Sequence, residues 1–195
     1  MKLQRSLNSQ EVSPEIVLSN GVLVVFGAHS GAALMLDLAA RLSLRGPLYL
    51  LDCGNRSDMY RVARTLRTLT NDPVAVMRNI HLSRAFTCYQ VVALLEKVAG
   101  GAGTPVLMLD LLSTFMDESV QIAESSQLFN RALRCLELAG RAAPVVVSAR
   151  PLLSLSAPRF GLLEQLKGAA TAVWEENVLP PAQPEGVQLP LLTDY

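Results

Sequence analysis

GVLVVFGAHSGAALMLDLAARLSLR, residues 21–45, is the stretch whose reading decides the fold. Residues 22–26 are apolar and mostly β-branched, the pattern of a strand buried on both faces. A Gly-Ala-His-Ser-Gly turn follows, and residues 32–44 repeat apolar side chains at helical spacing. A strand, a glycine turn and a helix aim the helix's first N–H groups and its dipole into the turn, where phosphate can be held. A phosphate-gripping turn of this kind ends Gly-Lys-Ser/Thr, whereas this one ends Gly31-Ala32-Ala33. The scaffold is expected to be present and its cationic and hydroxyl side chains are missing.

A chain of 195 residues is long enough for one sizeable core. With 50% hydrophobic and 17% charged residues, a largely disordered chain is excluded. Seventeen basic residues balance seventeen acidic ones, so nucleic acid or membrane binding needs a local patch rather than a bulk field. Arginine far outnumbers lysine, which fits guanidinium-mediated contacts and equally a GC-rich genome. Residues 1–10 lack an apolar core of the kind a signal peptide has, and no apolar run reaches the ~18 residues of a membrane span. Cys53, Cys88 and Cys135 are odd in number and widely spaced, which predicts buried reduced thiols and a cytoplasmic location. With only His29 and His81 to join them, no metal site is expected.

Residues 1–20 form a polar lead-in, 21–178 a core domain and 179–195 a tail with four prolines, expected to be extended. Within the core, strands are predicted at 22–26, 48–51, 79–85, 106–109, 145–148 and 169–174. Helices are predicted at 32–44, from Ser57 to the break at Asn71-Asp72-Pro73, and at 89–98, 124–139 and 160–166. Short buried strands alternating with helices imply an α/β fold: a mostly parallel central sheet flanked by helices on both faces. Ligands in such sheets bind beyond the carboxyl ends of the strands. Those ends carry Gly27 to Gly31, Asp52, Asp110 and Ser148 to Arg150.

The order of these pieces resembles the ATPase core of the RecA/RadA recombinase superfamily, over roughly residues 21–175. LYLLDCGNRSDMYRVARTLR (48–67) is similar to that core's acidic-ended strand and following helix. NIHLSRAFTCYQ (79–90), with its Arg84-Ala85-Phe86 step, resembles a RadA-type signature. VLMLDLLSTF (106–115) resembles the Walker B strand, PVVVSARP (144–151) the strand leading to the first DNA-binding loop, and GAATAVWEEN a late core strand. The resemblance implies a three-layer RecA-like P-loop fold. Gly27 and Gly31 enclose three residues where the family has four. The family's phosphate lysine falls on Ala32, its magnesium-binding Ser/Thr on Ala33, and its water-activating glutamate near Gly54. Asp110 alone matches the catalytic set.

The implied molecule is a catalytically inactive RecA-like paralogue, a DNA repair or recombination accessory or assembly factor working through protein contacts. Its partner would be a recombinase, another RecA-like subunit or a second copy, with no cofactor. The alternative is a nucleotide-binding ATPase or switch that holds ATP and magnesium with non-standard residues, such as backbone amides, His29 and Ser30. In the bland reading His29 faces solvent, Ser30 caps the helix, and Asp52 and Asp110 are strand-end turn residues. Arg56, Arg61, Arg64, Arg67 and Arg150 are candidate DNA or partner contacts, or an ordinary solvated face. Phe86 and Tyr89 are expected in the core or at a subunit contact, and Trp174 packed with its N–H bonded.

Overall fold

A computed structural model of the chain describes residues 19–27, 32–101, 103–151 and 157–175. Six strands, β1 (Gly21–Phe26), β2 (Leu48–Asp52), β3 (Ile80–Arg84), β4 (Val106–Leu109), β5 (Pro144–Ala149) and β6 (Ala172–Glu175), form one sheet in the order β3-β2-β4-β5-β1-β6. Every pairing among the described residues is parallel. The α-helices are α1 (Ala32–Ser43), α2 (Met59–Leu69), α3 (Pro73–Met77), α4 (Cys88–Ala99), α5 (Ile122–Ala142) and α6 (Ala157–Ala169), with a 3-10 helix at Leu111–Met116.

Alternation along the strands feeds two cores. Val24, Leu51, Met108 and Val147 point toward α4, α5 and α6, where Phe115 meets Phe129 edge to face at 5.0 Å. Val25, Leu50, Leu107 and Val146 point the other way, toward α1, α2 and α3. Helices therefore cover both faces of the sheet. β1 lies inside it, paired with β5 and β6, as its uninterrupted apolar run requires. Gly21, at φ 134°, opens the strand where an added Cβ would stand 2.6 Å from Thr171 Oγ1, and that hydroxyl accepts from Val22 N.

Several expectations change. Pro73 starts a helix rather than merely ending one: it occupies the first turn of α3, and Asp72 accepts from Ala75 N at 3.0 Å. Residues 157–169 are helical, so Ala169 closes α6 and β6 begins only at Ala172. Phe86 is 70% exposed and Tyr89 47%, which removes both from the core. Trp174 packs on the α1–α3 side, but its Nε1 has no hydrogen-bond partner among the described residues. Cys53 and Cys88 are buried, Cys135 is half-buried and all three thiols are free. Burial, followed by the charges of Asp52 and Asp110, pushes the Cys53 thiol far up, so it is held neutral. No described helix is long and apolar enough to cross a membrane. The lead-in and the tail from residue 176 lie outside the described residues.

Candidate functional site

The strand order creates two places where neighbouring strands send their connections in opposite directions. β1 leads toward β2 while its neighbour β5 leads toward β6, and β2 leads toward β3 while its neighbour β4 leads toward β5. Crevices at such points are the usual ligand sites of open parallel sheets. Asp52 and Asp110 end the two strands of the second crevice, and Gly27 and Arg150 follow the two strands of the first.

Asp52 is 1% exposed and fully engaged. Its Oδ1 accepts from Gly54 N (3.3 Å) and Arg56 N (2.9 Å). Its Oδ2 accepts from Ser57 N (2.9 Å) and Ser57 Oγ (2.6 Å), with Arg84 Nε 3.6 Å away. Burial pushes this carboxyl upward, but the Ser57 hydroxyl and the amides of Arg56, Ser57 and Gly54 outweigh it and hold it below its ordinary value. Asp52 is an anion that folds the 53–57 loop around itself. Asp58 then caps α2 by accepting from Tyr60 N and Arg61 N.

Asp110 is also buried and sits in the left-handed region, at φ 55°. Its N–H donates to Ser148 Oγ at 3.0 Å, tying the ends of β4 and β5 together. Arg150 Nη2 lies 2.5 Å from Asp110 Oδ2, yet no donor among the described residues is aligned for a hydrogen bond to that oxygen. The contact is a charge pair of poor hydrogen-bond geometry. Gly54 presses on the same carboxylate: a Cβ there would stand 2.5 Å from Asp110 Oδ2 and 2.7 Å from its Cβ. No side chain fits at position 54 without moving Asp110. Asn55, facing the same edge, is the other described non-glycine residue with positive φ (54°). Two such residues on one rim mark local backbone strain held in place by the surrounding packing.

Of the glycine turn, Gly27 is described, and its N–H donates to Ala149 O at 3.3 Å. His29, Ser30 and Gly31 lie outside the described residues. Ala32 and Ala33 open α1 with methyl groups, which bring neither cation nor hydroxyl to the helix start. No group of three or more His, Cys, Asp or Glu among the described residues could hold a metal ion.

The five candidate arginines separate. Arg61 is fixed to Asp37 on α1 through Nε (3.3 Å) and Nη2 (2.9 Å), with Thr65 on the same carboxylate. Arg150 is engaged with Asp110. Arg56 is half-buried beside Asp52, on which its amide donates. Arg64 and Arg67 stand exposed on the outer side of α2 with no ion-pair partner among the described residues, in line with Tyr60, which is 88% exposed.

Sequence reading placed Gly54 near a catalytic position but missed Ser57 and Arg84 as parts of this edge. The pattern Asp-x-Gly-Asn-x-Ser is a signal for an Asp-centred loop and could have exposed Ser57. Arg159 was missed as well: it is 4% exposed and donates to Val120 O (2.9 Å) and Phe115 O, pinning the loop before α5 to α6. No family model and no curated protein matches the chain.

Proposed function

We propose that this chain is a RecA-like P-loop fold without P-loop chemistry, a catalytically inactive recombinase paralogue. It serves as a DNA repair or recombination accessory or assembly factor through protein–protein contacts. The carrying observation is the occupied carboxyl edge. Asp110, the one matching catalytic position, is contacted by Arg150 and walled by Gly54, where a catalytic glutamate has no room. Ala32 and Ala33 bring no charge-assisted contact to a triphosphate or its magnesium, and each such contact is worth a few kcal/mol. These residues do not fit a magnesium–nucleotide complex, and no hydrolytic step is assigned to them.

Exposed Phe86 and Tyr89, which follow edge strand β3, support a protein contact. Aromatic residues are enriched at interfaces, and the RadA-type step of the resemblance falls at the same place. The partner on this reading is a recombinase, another RecA-like subunit or a second copy, and DNA is reached directly or through that partner. Affinity capture from native lysate tests it: wild type retains a recombinase or helicase subunit, and Phe86→Ala/Tyr89→Ala releases it. Capture unaffected by the double substitution would contradict the assigned contact, and magnesium-dependent ATP turnover abolished by Asp110→Asn would contradict the inactive reading. A nucleotide switch using backbone amides remains the second reading, because β1 runs into α1 in the arrangement that presents helix N–H groups to an anion.

A further inference from the structure

The outer face of the α1–α2–α3 layer is chemically unlike the rest of the surface. Residues 32–79 contain seven arginines, no lysine and four aspartates. The aspartates are spoken for: Asp37 holds Arg61, Asp52 folds its loop, and Asp58 and Asp72 cap α2 and α3. Arg41, Arg45, Arg64, Arg67 and Arg78 stand exposed, with no ion-pair partner among the described residues. Apolar side chains are exposed on the same layer: Leu44 at 42%, Leu69 at 36% and Val74 at 66%. α3 packs against both α1 and α2, so the ends of the three helices share one corner.

The complement of this surface is an acidic and apolar segment, and the chain itself contains one. Residues 176–195 read ENVLPPAQPEGVQLPLLTDY, with Glu176, Glu185 and Asp194, no Lys or Arg, and a Leu189-Pro190-Leu191-Leu192 run. Prolines limit the entropy lost when such a segment is laid on a surface. The starting point is within reach of this face. β6 is an edge strand ending at Glu175, and Trp174 just before it packs into the core beneath the α1–α3 layer. Crossing all five strand spacings of the sheet takes about 24 Å, whereas 20 extended residues reach up to roughly 66 Å. A tethered segment meets its site at an effective concentration on the order of 1 mM, so individually weak contacts are enough.

We propose that residues 176–195 dock on the arginine-rich, partly apolar outer face of the α1–α2–α3 layer of their own chain. The Leu189–Leu192 run covers Leu44, Leu69 and Val74, and the acidic residues meet Arg64, Arg67 and their neighbours.

Paramagnetic relaxation in the full-length chain tests the proposal, with a nitroxide on Thr193→Cys and Cys135 replaced by serine. The expected result is selective loss of amide signal in α2 and α3, with α4 and α5 unchanged. The loss is relieved by Arg64→Glu/Arg67→Glu and weakened by added salt. The two arginines are exposed, so an unchanged amide spectrum verifies that the double variant folds. Uniform attenuation, attenuation on α4–α6, or attenuation that survives charge reversal and salt would overturn the docking. Mixing nitroxide-bearing unlabelled chain with isotope-labelled chain separates the sources. Broadening of the labelled chain in that mixture would assign the tail to a neighbouring copy and overturn the own-chain arrangement.

Discussion

The carboxyl edge of the sheet and the outer face of the α1–α2–α3 layer treat charge in opposite ways. At the edge, Asp52 and Asp110 are buried and answered from within the chain, by the 53–57 amides, Ser57 and Arg84 for one and by Arg150 for the other. On the outer face, Arg61 pairs with Asp37, while Arg41, Arg45, Arg64, Arg67 and Arg78 stand exposed with no ion-pair partner among the described residues. The difference separates architecture from recognition. A carboxylate that organises its own loop has little left to offer a ligand. A guanidinium left in water retains its full capacity for a partner.

The sharpest way to break this contrast is to put a carboxylate back where an ATPase would hold one. Gly54→Glu drives a side chain into Asp110 and is expected to lower the unfolding free energy by about 3 kcal/mol without producing ATP turnover. Urea denaturation together with a phosphate-release assay reads both effects. Asp52→Asn comes next, at about 2 kcal/mol, because an amide nitrogen would face some of the N–H groups the carboxylate now accepts from. Acid gives the same contrast without substitution. The Asp52 carboxyl is depressed in the folded state, so its contribution is fully present above the ordinary value of 3.8 and is lost as pH falls through the lower folded value. Urea midpoints should therefore drop on acidification in wild type and vary less with pH in Asp52→Asn.

Arg150→Ala should cost about 1 kcal/mol, since Asp110 is buried while the guanidinium is 40% exposed and screened by solvent. At the small end, Arg64→Ala and Arg67→Ala are expected to stay within about 0.5 kcal/mol of wild type. Thermal melts of the five variants place them on one scale. Equal effects at both regions would erase the distinction drawn between them.

Most of the sheet was legible in the sequence because β1, β2, β4 and β5 are buried on both faces and read as unbroken apolar runs. Asp52 and Asp110 at strand ends were legible for the same reason. The short elements were not. Pro73 serves equally as the end of one helix and the start of the next, and its neighbour Asp72 decides for the start by capping α3. The α6–β6 junction lies in Gly168-Ala169-Ala170-Thr171, where small residues carry no periodicity, so the predicted strand began too early. Of the two places expected for Phe86, the core is ruled out by its 70% exposure, with its N–H held by Gln90 Oε1, and the subunit contact is untouched by this. The Arg150–Asp110 pairing joins distant parts of the chain and has no local signature. Gly54's requirement likewise arises only once β2 and β4 are side by side.

Calorimetric titration of magnesium-ATP into the full chain tests the central claim most directly. A carboxyl edge occupied by its own arginines and amides should give no saturable heat up to millimolar nucleotide, in wild type and in Arg150→Ala alike. Saturable micromolar binding that requires magnesium and disappears in Asp110→Asn would contradict the account.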